Sequence, residues 1–255
     1  MRLAGAFLRA ANALVSFVTA LCLCTAGLYS VYALWDNNRV YSAAEDVRAD
    51  MIKLKPVVIE AGGASFEELL AINPDVCAWI TIDNTNIDYP VLQGETNLTY
   101  INTDVYGKFA LAGSIFLDSR NDRGFGDTCS LLYGHHMANG NMFGDLDKFE
   151  EESFFRKNKT GTLLLPDKTY DLEIYACLLV PASEDMIFDP QQYQDDINPL
   201  LDFVEQEALY YDAETVAALR QTNKESQILA LSTCSSEFTD ARTIILTVME
   251  PHVSE

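Results

Sequence analysis

The chain has 255 residues, 49% of them apolar, and 17 Lys and Arg stand against 38 Asp and Glu for a formal net charge of −21. A chain this acidic lacks the basic face that displaces counterions from phosphates, which argues against general nucleic-acid binding, and its apolar content suits a folded core rather than disorder. The charge is uneven: residues 1–35 contain Arg2 and Arg9 and no acid, so the remainder holds 15 basic and 38 acidic groups, a net of −23.

The first element is an apolar run from Ala10 to Trp35, AANALVSFVTALCLCTAGLYSVYALW, 26 residues without a charge. About 20 suffice to cross a bilayer as a helix, so residues 10–35 predict a transmembrane helix behind a cytoplasmic N-terminus at residues 1–9. Arg2 and Arg9 precede the run and Asp36 follows it, an arrangement that keeps the N-terminus in the cytoplasm and exports the rest. Tyr29, Tyr32 and Trp35 supply aromatic rings for the far interface. A cleaved signal peptide is the competing reading, although its apolar region usually spans only about 7 to 15 residues. Residues 36–65 mix charges with a weak helical pattern and end in AGGAS, which reads as a juxtamembrane stalk.

The folded domain is expected over residues 66–255. It opens with FEELLAI, a short helix stopped at Asn73 because the following Pro74 disfavours a helical conformation there. Eight apolar runs of strand length follow between turn signals: CAWITI, NIDYPVL, GSIFLD, CSLLYG, GTLLLP, TYDLEIYACLLV, QILALST and ARTIILTV. Asp83-Asn84 and Pro166-Asp167-Lys168 are natural hairpin turns. Apolar spacings of three and four predict helices over 141–157 and 197–210. The class is mainly β, a barrel carrying inserted helices.

Few residues can carry chemistry. Cys22 and Cys24 lie in the apolar helix, and Cys77 and Cys177 sit in apolar strand-like runs that suit inert buried thiols. Cys129 and Cys234 remain, and no pair has the C-x-x-C spacing of a zinc or dithiol site. The acidic clusters lack the calcium-loop pattern and read as a solvated face. Of the three histidines, His252 is near the end of the chain, while His135 and His136 stand where an apolar strand stops at a glycine. Arg242 opens a strand eight positions after Cys234, a spacing that lets a return of the chain bring the two together. A thiolate beside a histidine and an arginine suits nucleophilic catalysis, although taken singly the histidines and Cys234 fit structural roles better.

The combination resembles the sortase family. Ala230-Leu231-Ser232-Thr233-Cys234 followed by Arg242 is similar to the sortase signature Thr-Leu-x-Thr-Cys with its later Arg, departing in Ala for the first Thr, and YGHHM at 133–137 resembles the segment that carries the sortase histidine. The likeness extends over NPDVCAWITIDNTNIDYPVLQG, TNLTYINTDVYG, GSIFLDSRND and YGHHMANGNMFGDL, and in detail it is to class B. It implies a closed eight-stranded sortase-type β-barrel and transpeptidation without a cofactor or metal at a Gram-positive surface. The enzyme would cleave a C-terminal sorting signal after Thr and join it to a peptidoglycan amine, or in pilin-polymerising members to a pilin lysine. On this resemblance Cys234 is the nucleophile, His135 the acid and base with His136 as the other candidate, and Arg242 the oxyanion or peptide anchor. Asn97, Ile101, Tyr133, Ser232 and Thr233 match positions that line the peptide groove. Ser235 and Ser236 depart from the larger or acidic residues usual after the Cys. Outside this family, a non-catalytic wall-binding β-domain would fit the same composition.

Overall fold

The computed structural model describes residues 2–57, 65–234 and 241–252. The AGGAS break, apart from its final Ser65, and the Ser235-Ser236 departure lie outside the described residues. The chain divides into two compact units, Met1–Ala43 and Ala44–Glu255. Helix α1 runs over Arg2–Ile52 and is long and apolar enough to cross a membrane. Its charged last third is helical, in keeping with the weak periodicity after Asp36. Within the second unit Met51 is buried with Phe66, Leu69 and Trp79, so ordered packing starts well before Phe66.

All eight predicted strand runs form strands. They are β1 (Val76–Ile82), β2 (Asp88–Leu92), β3 (Ile115–Leu117), β4 (Cys129–His135), β5 (Thr160–Leu164), β6 (Thr169–Pro181), β8 (Gln227–Cys234) and β9 (Ala241–Pro251). The sheet order β5-β1-β2-β3-β4-β8-β9-β6, closed by pairing of β6 with β5, makes an eight-stranded barrel. It is mixed, because β2–β3 and β4–β8 are parallel and the other pairs antiparallel. Closure leaves those eight strands without a continuous open edge.

The predicted turns close the expected hairpins. Asn84 takes φ +62°, a left-handed conformation Asn tolerates, and Leu165 N donates to Lys168 O at 2.8 Å across the Pro-Asp turn. Helix α2 (Glu67–Ile72) ends where Asn73 turns extended before Pro74.

Three local expectations change. The single helix over 141–157 is instead a 3-10 turn over Gly144–Glu150 followed by α3 (Glu152–Lys157). The chain reverses sharply after the histidine pair, with Gly140 at φ +81° and Met142 at φ +52°, and Glu151 is extended between the two pieces. After the short helix α4 (Asp185–Phe188), the helix predicted over 197–210 is α5 (Asn198–Glu207), and Ala208–Tyr211 leaves it as a ninth strand, β7. β6 is longer than β5, so part of one edge would be bare, and Ala208–Tyr211, with its two β-favouring tyrosines, covers it. Helix α6 (Ala213–Thr222) was not expected; its signal is Asp212, which caps it by accepting from Glu214 N and Thr215 N.

Among the described residues, two apolar clusters of the second unit bear on the site. One packs α5 and α6 through Leu200, Leu201, Val204 and Leu219 against β6, β8 and β9; the other gathers Met51, Phe66, Trp79, Tyr100 and Phe116. Tyr133 packs against both. At Gly144 a Cβ would stand 2.1 Å from the Met137 carbonyl oxygen, which is backbone and cannot rotate aside. Gly144→Ala is therefore expected to lower unfolding free energy by about 1–3 kcal/mol, read from the denaturant midpoint.

Candidate functional site

The site begins with the parallel pair β4–β8. Seven register partners run from Cys129 with Ile228 to His135 with Cys234. Because the two strands point the same way, their C-terminal ends reach the same rim side by side, roughly 4.8 Å apart. On the other side β8 pairs antiparallel with β9 from Gln227–Met249 to Ser232–Ile244. Two residues further along each strand stand Cys234 and Arg242, and Arg242 also pairs with Val180 on β6. The three residues that the sequence singled out for chemistry therefore stand on adjacent strands at one rim. The register places Cys234 by its backbone.

His135 is half-buried, and its Nε2 lies 2.6 Å from the Ile101 carbonyl oxygen. A carbonyl oxygen only accepts, so Nε2 is the donor in this bond. Gly134 is required beside it, since a Cβ there would stand 2.4 Å from Ile115 Cδ1 and 2.8 Å from the Phe143 ring. The alternative, His136, bonds through Nε2 to Asp147 Oδ2 at 2.7 Å. His252 bonds to Asp171 at the end of β6 remote from Arg242.

Beside the rim ends of β8 and β9 lies a cavity of about 280 Å³ lined by Asn97, Leu98, Ile101, Phe116, Tyr133, Ala182, Phe188, Ser232, Thr233 and Arg242. The five residues expected to line a groove all face it, joined by apolar neighbours the sequence did not single out. Three rings form one wall: Phe116 and Tyr133 have centroids 5.3 Å apart, and Tyr133 and Phe188 6.3 Å. The Thr233 hydroxyl accepts from Thr243 N at 3.1 Å, tying the rim ends of β8 and β9. A concave, mainly apolar space with a few fixed polar groups has the character of a ligand site.

Asp118, at the end of the GSIFLD run, was missed. Its carboxylate is fully buried and accepts from Arg120 N, Nε and Nη2, from Asn97 Nδ2 and from the Tyr133 hydroxyl. Burial alone would raise its pKa, but the hydrogen bonds from Arg120 and Asn97 and the Arg120 charge hold it below the ordinary 3.8. The available signal was an acid closing an apolar strand, where an unpartnered charge is costly.

The other thiols of the second unit differ from a nucleophile. Cys77, Cys129 and Cys177 are buried, and burial pushes all three thiols up to about 12. Such thiols stay protonated and unreactive at neutral pH. Among the described residues no cluster of His, Cys, Asp and Glu is arranged to hold a metal.

The sortase domain family matches residues 80–250. The chain is 30% identical to sortase B of Listeria monocytogenes over 208 residues, covering 80% of this chain and 81% of that protein. Among solved structures it is similar to a Streptococcus pyogenes class B sortase involved in pilus biogenesis, with a TM-score of 0.65 and 40% identity over 73% of this chain and 98% of the other. A Staphylococcus aureus sortase B–substrate complex gives a TM-score of 0.65 and 28% identity over 73% and 84% of the two chains.

Asp118 also gives the site an acid dependence. Its folded-state pKa is depressed, so its contribution to stability is complete above the unfolded value and fades as pH falls through the folded one. The stability difference between native protein and Asp118→Asn should be largest near neutrality and shrink below pH 3.8, as measured by denaturant midpoints across that range.

Proposed function

This chain belongs to the sortase family, in class B, and from that premise we propose that it is a membrane-anchored cysteine transpeptidase that cleaves a C-terminal sorting signal after Thr and transfers the protein to a cell-wall peptidoglycan amine. The observation that carries this reading is the register of β4 and β8, which makes His135 and Cys234 direct partners at one rim, with Arg242 on the next strand and a cavity of about 280 Å³ beside them.

The Cys234 thiolate attacks the Thr carbonyl carbon. The tetrahedral intermediate collapses as its C–N bond breaks, and His135 in its imidazolium form gives a proton to the departing amine. The product is a thioacyl enzyme. An incoming amine attacks that thioester, loses its proton to His135 and expels the Cys234 thiolate, which restores the enzyme. Arg242 stabilises the oxyanion at each tetrahedral stage or anchors the peptide. Asn97, Ile101, Tyr133, Ser232 and Thr233 hold the peptide across the groove. In α1 the segment 10–35 spans the membrane, with Arg2 and Arg9 on the cytoplasmic side and the catalytic unit outside the cell.

A second reading shares the chemistry and changes the acceptor. The 40% identical class B relative involved in pilus biogenesis supports a polymerising enzyme whose amine is a lysine of a pilin subunit. Offering the thioacyl enzyme a peptidoglycan-derived amine and a pilin lysine in competition separates the two by the product formed.

With the full chain in detergent, a library of sorting-signal peptides should be cleaved, and Cys234→Ala should abolish turnover while leaving the thermal transition in place. Unchanged turnover in that variant sinks the proposal. Iodoacetamide should label Cys234 ahead of the three buried thiols, as mapped by mass spectrometry; a non-catalytic wall-binding domain gives no reason for such selectivity.

A further inference from the structure

The Asp118 carboxylate lies outside the cavity lining, yet its bonds reach the cavity walls from separate parts of the chain. Its Oδ2 accepts from Asn97 Nδ2 at 2.9 Å, from the Tyr133 hydroxyl at 3.1 Å and from Arg120 Nη2 at 2.8 Å. Its Oδ1 accepts from Arg120 N and Nε, both at 2.9 Å. Arg120 extends the reach, since Nη2 also donates to the Phe188 carbonyl at 2.7 Å. Asn97, Tyr133 and Phe188 all line the cavity.

The geometry fixes orientation as well as position. The Asn97 amide is held at both ends, because its Oδ1 accepts from Ser119 N at 2.7 Å while its Nδ2 faces Asp118. The Tyr133 ring is clamped between Phe116 and Phe188 and anchored at its hydroxyl. Five donors converge on one carboxylate, and only an acceptor-only group satisfies them all. An asparagine of the same shape would turn an N–H₂ group or a single carbonyl toward those donors and leave some unmet. Among the described residues the network reaches Tyr133, the register partner of Ser232, on the strand that carries His135.

We infer that Asp118, with Arg120, is a positioning residue for the peptide substrate: it sets the Asn97 amide, the Tyr133 ring and the Phe188 segment in the arrangement that binds the sorting signal, and so governs peptide binding rather than thiol chemistry. This rests on the transpeptidase reading above.

The test uses the full chain in detergent and the library peptide that the native enzyme cleaves fastest. Asp118→Asn should raise KM about tenfold or more and leave kcat within about twofold, as expected when binding shared by ground and transition states is lost. Alkylation of Cys234 by iodoacetamide, which needs no groove, should keep its native rate. Tyr133→Phe deletes one hydroxyl and keeps the ring stack; it should raise KM by about threefold to tenfold, and its effect should be smaller in the Asp118→Asn background because both changes break the same bond.

A folded Asp118→Asn enzyme with native KM overturns the inference, as does a variant in which kcat, KM and alkylation rate all deteriorate together. If Asp118→Asn does not fold, Tyr133→Phe decides alone, and a native KM there overturns it. A native chain that cleaves no peptide overturns the transpeptidase reading and this inference with it; a working native enzyme beside an Asp118→Asn variant of unchanged KM overturns only the inference.

Discussion

The parallel pairing of β4 with β8 is the constraint on which the rest of the site depends. An antiparallel pair would put the end of one strand beside the start of the other, and His135 would face the opposite rim from Cys234. In the parallel pair both strand ends arrive together, and a slip of one residue would turn every side chain on a strand to the other face. Several features resist such a slip. The pair is seven residues long, Leu131, Leu132, Leu229 and Leu231 are fully buried within it, and β9 pairs with the far edge of β8. Parallel neighbours also need a long connection, and here β5, β6, β7 and the helices α3 to α6 occupy it. The connection from His135 to Cys234 thus supplies two of the eight barrel strands, β5 and β6.

The second requirement is a groove with fixed walls. An apolar cavity gives a peptide favourable contact but little orientation, which has to come from a few polar groups held in place. The buried Asp118 serves that purpose at an energetic cost: a carboxylate out of water must be neutralised and its lone pairs occupied. Arg120 neutralises it and the surrounding N–H and O–H groups occupy it, so the charge that would otherwise destabilise the barrel becomes a point to which three separate segments are tied. Tyr133 shows why the tie has structural reach. It packs against both apolar clusters, so its ring also joins the layer under α5 and α6 to the layer around Trp79. Side chains held on several sides keep one rotamer, which is the condition for a precise site.

The sequence by itself determined the parts governed by local physics. Eight short apolar runs bounded by turn residues gave the barrel strands, the Asn73-Pro74 step ended α2, and the uncharged stretch at 10–35 lies in a helix that meets the requirements for crossing a membrane. The motif around Cys234 and the Gly-His segment pointed to the family because those residues are contiguous in the chain. Tertiary structure decided whatever depends on partners distant in sequence. Ala208–Tyr211 has helical periodicity upstream and becomes a strand only because β6 has a bare edge. Residues 141–157 break where the chain must turn back after the histidines. The register that sets His135 opposite Cys234 and the burial that gathers Asn97 and Tyr133 onto Asp118 join residues far apart in the chain, and they leave no local pattern by which to read them.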